Sequence, residues 1–101
     1  MCDKLIRLDL NSPVFQRTLF QLTKQQQISV LGTLRKLSDM SWNQVYGDTG
    51  LKWELIYSKV GPHGERIYSF RMGQGFRAVA YRDSEWLRVL SLHPDHDSTY
   101  L

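Results

Sequence analysis

The chain has 101 residues and a formal net charge of +3, from 13 basic and 10 acidic side chains. This length supports one hydrophobic core, so we expect a single domain over residues 1–101. The apolar runs are too short to cross a bilayer, and we expect no membrane partner. The first seven residues contain no apolar signal-peptide core, and the single cysteine, Cys2, cannot form an internal disulfide. Both features predict a cytoplasmic protein.

The first 40 residues predict a strand followed by a helical hairpin. Residues 4–10 alternate between apolar and charged side chains, as a strand does. Ser12 and Pro13 are typical of a helix start, and the apolar residues that follow at helical spacing are Phe15, Leu19 and Leu22. Thr23 and Gln26 have the spacing of a capping box, which starts a second helix. We expect its buried face to consist of Ile28, Leu31, Leu34 and Leu37.

Beyond Gly50 the apolar period changes from helical to alternating, which predicts an antiparallel sheet. Trp42 and Tyr46 are expected to extend the second helix before Gly47 stops it. Four strands then follow, separated by a loop at 59–65, a turn at 73–75 and a turn at 82–85. The predicted fold is α+β, with the helical hairpin packed on one face of a mainly antiparallel, twisted sheet of four to five strands.

The turn at 73–75 places Arg71 directly opposite Arg77, on the face that the helices leave open. Like charges in such a pair destabilise a sheet. Glu54, on the same face of the preceding strand, could bridge both guanidinium groups. Alternatively, the pair binds a phosphate, which arginine holds with two parallel hydrogen bonds. Both interpretations stay open from the hairpin alone. In the second, Arg77→Ala removes activity and leaves the fold intact or slightly more stable.

The C-terminal segment adds groups that transfer protons. His93 and His96 titrate near physiological pH, and Tyr100 can donate or accept a hydrogen bond. Metal-independent cleavage of RNA needs a base for the 2′-hydroxyl, cations for the phosphorane and an acid for the leaving oxygen. A polar loop whose groups satisfy each other is the plainer interpretation. A metal site of His93, Asp95, His96 and Asp97 is the least favoured, because ligands packed into five residues rarely converge. We therefore expect no metal and no cofactor.

The order of elements and three sequence segments together resemble the RelE/ParE superfamily of bacterial type II toxins. The segments are Tyr-Ser-Phe-Arg (68–71), Phe-Arg-Ala-Val-Ala-Tyr-Arg-Asp (76–83) and Leu-Arg-Val-Leu-Ser-Leu-His-Pro-Asp-His-Asp-Ser-Thr-Tyr (87–100). The resemblance covers essentially the whole chain. It implies a toxin that cuts mRNA, on the ribosome or free of it, and that a cognate antitoxin protein inhibits. The gyrase-binding branch of the superfamily, which lacks nuclease activity, and a non-toxic member are the alternatives.

The resemblance also implies a set of site residues. By position, Arg77 corresponds to the arginine that contacts the scissile phosphate, and Arg71 to an arginine often found one strand earlier. Tyr100 corresponds to the C-terminal tyrosine, and His93 or His96 to the general acid. These five residues form the expected catalytic set. The expected RNA-binding residues are Lys52, Glu54 and Arg82.

Overall fold

A computed structural model describes residues 4–94 of the chain, which form three helices and five strands. The strands are β1 (Arg7–Asp9), β2 (Glu54–Val60), β3 (Arg66–Gly73), β4 (Phe76–Asp83) and β5 (Trp86–His93). The helices α1 (Pro13–Gln21), α2 (Lys24–Ser38) and α3 (Trp42–Gly47) lie between β1 and β2 in the chain. The sheet has the order β1-β5-β4-β3-β2, with β1 parallel to β5 and the other pairs antiparallel. This arrangement confirms the α+β fold predicted from the sequence.

Side-chain caps define where the helices begin. The Ser12 hydroxyl accepts a hydrogen bond from the Phe15 N–H, and Thr23 with Gln26 forms the expected capping box. A second capping box, between Ser41 and Gln44, starts α3 as a separate helix. The prediction that Trp42 and Tyr46 extend the second helix is therefore wrong, because Ser41 caps a new helix at that point.

The buried face of α2 differs from the predicted one. Val30, Leu34 and Leu37 are buried, whereas Ile28 is 64% exposed and Leu31 63% exposed. At 3.6 residues per turn, each three-residue step falls about 60° short of a full turn. Three such steps separate Ile28 from Leu37, so these two residues lie on opposite sides of the helix. The predicted repeat of three could not form one stripe.

The β3–β4 hairpin turns on two residues, Gln74 and Gly75, where three were predicted. Gly73 pairs with Phe76, whereas the predicted turn at 73–75 would have paired Met72 with Phe76. A register shift leaves Met72 as an extra residue on β3, and Arg71 still pairs with Arg77, as predicted. Gly75 has φ +68°, a left-handed conformation that glycine adopts without steric cost.

The two faces of the sheet have different environments. The helices cover the face that carries Phe70, Met72, Phe76, Ala78 and Ala80, as the alternation predicted. Tyr68, on the same face, stacks on Trp53 with ring centroids 4.8 Å apart. The opposite face carries a smaller apolar cluster, and next to it the charged residues described below. The cluster consists of Ile56, Ile67, Val79 and Tyr81. None of the helices over residues 4–94 is long and apolar enough to span a membrane.

Candidate functional site

Three site residues lie side by side across neighbouring strands. Arg71 on β3 pairs with Arg77 on β4, and Arg77 pairs in turn with His93 on β5. Paired residues of an antiparallel sheet point to the same face, with neighbouring strands about 5 Å apart. All three therefore lie on the face opposite the helices. We call this set the Arg71–Arg77–His93 row. The sequence predicted the arginine pair, and the β4–β5 register adds His93 to it.

Arg77 is a buried cation held by neutral groups. The residue is only 5% exposed, and its guanidinium lies against the fully buried Ser69. Nε and Nη2 donate to Ser69 Oγ at 3.1 and 2.9 Å, and Nη2 also donates to the Lys52 carbonyl at 2.6 Å. Within the described part of the chain, Nη1 makes no hydrogen bond. A buried charge is tolerated when it is hydrogen-bonded, and here the chain's own oxygens accept three hydrogen bonds from the guanidinium.

Glu54 approaches only one of the two arginines. It lies directly opposite Ser69, and its Oε2 is 3.9 Å from Arg77 Nη2. Its side chain is 54% exposed, so solvent screens this ion pair. No ion pair joins Glu54 to Arg71 among residues 4–94. The idea that Glu54 bridges both guanidinium groups is therefore wrong, and the hydrogen-bond partners of Arg77 are instead the Ser69 hydroxyl and the Lys52 carbonyl.

Arg71 and Lys52 provide the exposed positive charge of the site. The Arg71 side chain is exposed, and its one hydrogen bond to residues 4–94 is a long one, 3.4 Å, from Nε to the Gly73 carbonyl. Lys52 is also exposed, in the segment that leads into β2. Both residues line an open groove whose other walls are Gly73, Gly75 and Arg77. Three cationic side chains around one groove attract an anion.

Lys52 has an unusual backbone conformation. Its φ is +49°, in the left-handed region that costs a residue with a Cβ roughly 1–2 kcal/mol. Leu51, the residue before it, is held through both its N–H and its carbonyl. Leu51 N–H donates to Asp48 Oδ1 at 2.9 Å, and the Leu51 carbonyl accepts from Arg71 N–H at 2.7 Å. The strained backbone thus lies between two anchored carbonyls, those of Leu51 and Lys52.

His93 is half-buried at the end of β5. Its Nε2 lies 2.8 Å from Ser91 Oγ. Burial lowers the pKa of His93 below 6.5, and the positive charge of Lys59 lowers it further. At neutral pH the imidazole is therefore mostly uncharged, which is the form that accepts a proton.

Arg82 does not join the other site residues. It lies five positions from Arg77 along β4, about 16 Å at the rise of a strand, and an odd separation places it on the opposite face. Its guanidinium packs over Trp42 at 4.8 Å, and Nη1 donates to Tyr46 Oη at 2.8 Å. These contacts assign Arg82 a packing role beside α3. The expectation that Arg82 binds RNA stays a prediction, at a place apart from the Arg71–Arg77–His93 row.

The other predicted groups of the tail, His96 and Tyr100, lie outside the described residues. The same holds for Asp95 and Asp97 of the alternative metal site. Between residues 4 and 94, no cluster of three or more histidine, cysteine or acidic side chains could hold a metal ion.

Sequence reasoning missed Ser69 and the conformation of Lys52. A signal for Ser69 was present, because the residue lies two positions before Arg71 and so on the same face of β3. A small hydroxyl in the middle of a buried strand, diagonal to an arginine, is a hydrogen-bond acceptor for that arginine. The left-handed Lys52 had no such signal, since lysine is rarely found in that conformation.

Comparison with known proteins adds no relative: no family model, no curated protein and no solved structure matches this chain. The likeness to RelE/ParE toxins therefore rests on the sequence segments and the order of elements alone.

Proposed function

We propose that this protein is an endoribonuclease that cleaves RNA without a metal ion, and that it acts in the cytoplasm as the toxin of a toxin–antitoxin pair. The observation that carries the proposal is the Arg71–Arg77–His93 row beside the groove with Lys52. It combines cations for a phosphate with a neutral imidazole on one face of a rigid sheet. The resemblance of the sequence to RelE/ParE toxins supports the same class.

The proposed reaction is an internal transesterification of RNA. A base removes the proton of the 2′-hydroxyl, and the 2′-oxygen then forms a bond to phosphorus. The bond from phosphorus to the 5′-oxygen breaks, and an acid protonates that oxygen. The products are a 2′,3′-cyclic phosphate and a 5′-hydroxyl. Negative charge builds up on the phosphorane oxygens, where nearby cations stabilise it.

The described residues can fill most of these roles. Arg71 and Lys52 are exposed and can contact the phosphate oxygens, and Arg77 adds a buried positive charge behind them. His93, with its lowered pKa, suits the general base. His96 and Tyr100 remain our proposals for the acid and for a further hydrogen bond to the substrate.

We also propose an acidic antitoxin as the protein partner. The stretch from Ser12 to Ser38 contains four basic side chains and no acidic one. Exposed apolar side chains on the same two helices include Phe20, Ile28 and Leu31. An acidic amphipathic segment would bury the apolar groups and pair with the charges. Binding to the product of the neighbouring gene, weakened by Leu31→Asp, tests this partner.

The decisive assay is the chemistry of the product. The protein is incubated with a labelled RNA under two conditions. In one the RNA is free and EDTA is present; in the other the RNA is bound to ribosomes. We expect fragments with 2′,3′-cyclic phosphate ends, and a rate at least ~10²-fold lower for His93→Gln. Intact RNA under both conditions, together with gyrase-dependent DNA breaks, would support the gyrase-binding alternative. Intact RNA and intact DNA would indicate a non-toxic protein.

A further inference from the structure

Two buried polar residues lie together at the groove: Arg77, which lines it, and Ser69, which binds the Arg77 guanidinium. Ser69 is fully buried and Arg77 is 5% exposed. Two hydrogen bonds from the guanidinium to Ser69 Oγ fix its orientation, and a third, at 2.6 Å, reaches the carbonyl of Lys52. This third bond is the shortest of the set and joins β4 to the segment before β2.

The two arginines of the row both bind this segment, by different atoms. Arg71 uses its backbone N–H to bind the Leu51 carbonyl at 2.7 Å. Arg77 uses its side chain to bind the next carbonyl, that of Lys52. Consecutive carbonyls are thus held by neighbouring strands, and Lys52 has φ +49° at that point. A non-glycine residue keeps such a conformation only when its surroundings impose it.

We propose that Ser69 and Arg77 are positioning residues that hold Lys52 in its left-handed conformation and so place its ammonium group beside Arg71. The guanidinium of Arg77 is then engaged mainly by the chain itself, and the cations that contact a phosphate are Lys52 and Arg71. The identity of the ligand rests on the proposed function. The claim that Ser69 and Arg77 hold the segment of Leu51 and Lys52 does not rest on the proposed function.

Amide hydrogen exchange tests directly whether Ser69 and Arg77 hold the segment of Leu51 and Lys52. The Arg71 N–H reports on it, because its partner is the Leu51 carbonyl. In Ser69→Ala we expect this amide to exchange about tenfold faster or more, as the loss of hydrogen bonds to a charged group implies. Ser58→Ala, an exposed serine on β2, is the matched control and should leave the rate unchanged. The amide of Val89 on β5 reports on global unfolding, and the exchange at Arg71 in Ser69→Ala should accelerate by more than any change at Val89.

Arg77→Met replaces the arginine with an apolar side chain of similar length and removes every hydrogen bond of the guanidinium. It should accelerate exchange at Arg71 more than Ser69→Ala does. Should Arg77→Met fail to fold, Ser69→Ala still decides the question. Unchanged exchange at Arg71 in Ser69→Ala would overturn the proposal.

Binding of an uncleavable probe tests the consequence for the ligand. The probe is a short RNA with 2′-O-methyl groups in place of its 2′-hydroxyls. We expect its Kd to rise about tenfold in Ser69→Ala, toward that of Lys52→Ala, since the ammonium group is no longer held in place. Faster exchange with an unchanged Kd would overturn the positioning role. If the unaltered protein binds the probe neither free nor on ribosomes, the proposed function fails, and the exchange rates still decide whether Ser69 and Arg77 hold the segment.

Discussion

At the scale of single residues, the main finding is how differently the two paired arginines are used. Arg71 is exposed, whereas Arg77 is buried and satisfied by Ser69 and by the Lys52 carbonyl. The hairpin register alone predicted the pair but could not separate the two roles, because pairing does not show which side chain is covered. The like-charged pair alone predicted that loss of Arg77 leaves the fold intact or slightly more stable. Because Arg77 is buried, we now expect its loss to destabilise the fold.

Arg77→Ala should lower the free energy of unfolding by about 1–3 kcal/mol, because it leaves the buried Ser69 hydroxyl and the partly buried Lys52 carbonyl without their donor. Urea denaturation followed by tryptophan fluorescence measures this. Arg71→Ala is the matched control and should stay within about 0.5 kcal/mol of the parent, as exposed substitutions do. Equal stability of all three proteins would show that the buried hydrogen bonds contribute little.

The left-handed backbone at Lys52 predicts that glycine is better tolerated there than alanine. Lys52→Gly should be more stable than Lys52→Ala by about 1 kcal/mol, because glycine has no Cβ to strain at positive φ. Both variants lose the ammonium group, so the comparison isolates the backbone. An alanine variant as stable as the glycine variant would contradict the conformation of Lys52.

At the scale of elements, the sequence predicted the sheet and the helix starts better than the buried face of α2. The helix starts depend on local capping residues, which Ser12 and Thr23 supply. The buried face depends on how α2 rotates against the sheet, where Thr33 Oγ1 donates to the Met72 carbonyl at 3.4 Å. The positions of leucine and isoleucine in the sequence do not show how α2 is rotated against the sheet.

The two faces of α2 can be compared with a pair of similar substitutions. Leu37→Ala should cost roughly 2–5 kcal/mol as a buried large-to-small change. Leu31→Ala, on the same helix but 63% exposed, should change stability by no more than about 0.5 kcal/mol. A loss at Leu31→Ala as large as that at Leu37→Ala would mean that the predicted repeat of three describes the core after all.

At the scale of the whole molecule, charged contacts join distant parts of the chain. Arg88 on β5 donates to Asp9 on β1 at 2.6 Å and to Asp83 on β4 at 3.0 Å. Lys36 on α2 pairs with Asp48 at 3.0 Å, next to the segment that carries Lys52. The pair of Arg88 and Asp9 could not be predicted from the sequence, because partners 79 residues apart meet only in the folded chain.

These contacts predict how stability depends on pH. The pKa of Asp9 lies below 3.8 because of hydrogen bonds from the Asn11 N–H and from Arg88, and that of Asp48 because of Lys36 and the Leu51 N–H. The unfolded chain therefore binds more protons, and stability falls as the pH drops below 3.8. His93 acts in the same direction from pH 6.5 downward, since its pKa is lowered by burial. Thermal unfolding between pH 3 and 7 measures both losses of stability. Asp9→Asn should make the loss of stability below pH 3.8 smaller.

The central claim, that the exposed cations of the row act on an RNA phosphate, is tested most directly by comparing Arg71→Ala with Arg17→Ala. Both variants remove one exposed arginine and the same net charge, but Arg17 lies on α1, on the opposite side of the sheet. The measurement is the cleavage rate of one labelled RNA substrate at equal protein and salt concentrations. We expect Arg71→Ala to lose ~10²-fold or more and Arg17→Ala to keep the parent rate within a few-fold. Equal rates for the two variants would contradict the site.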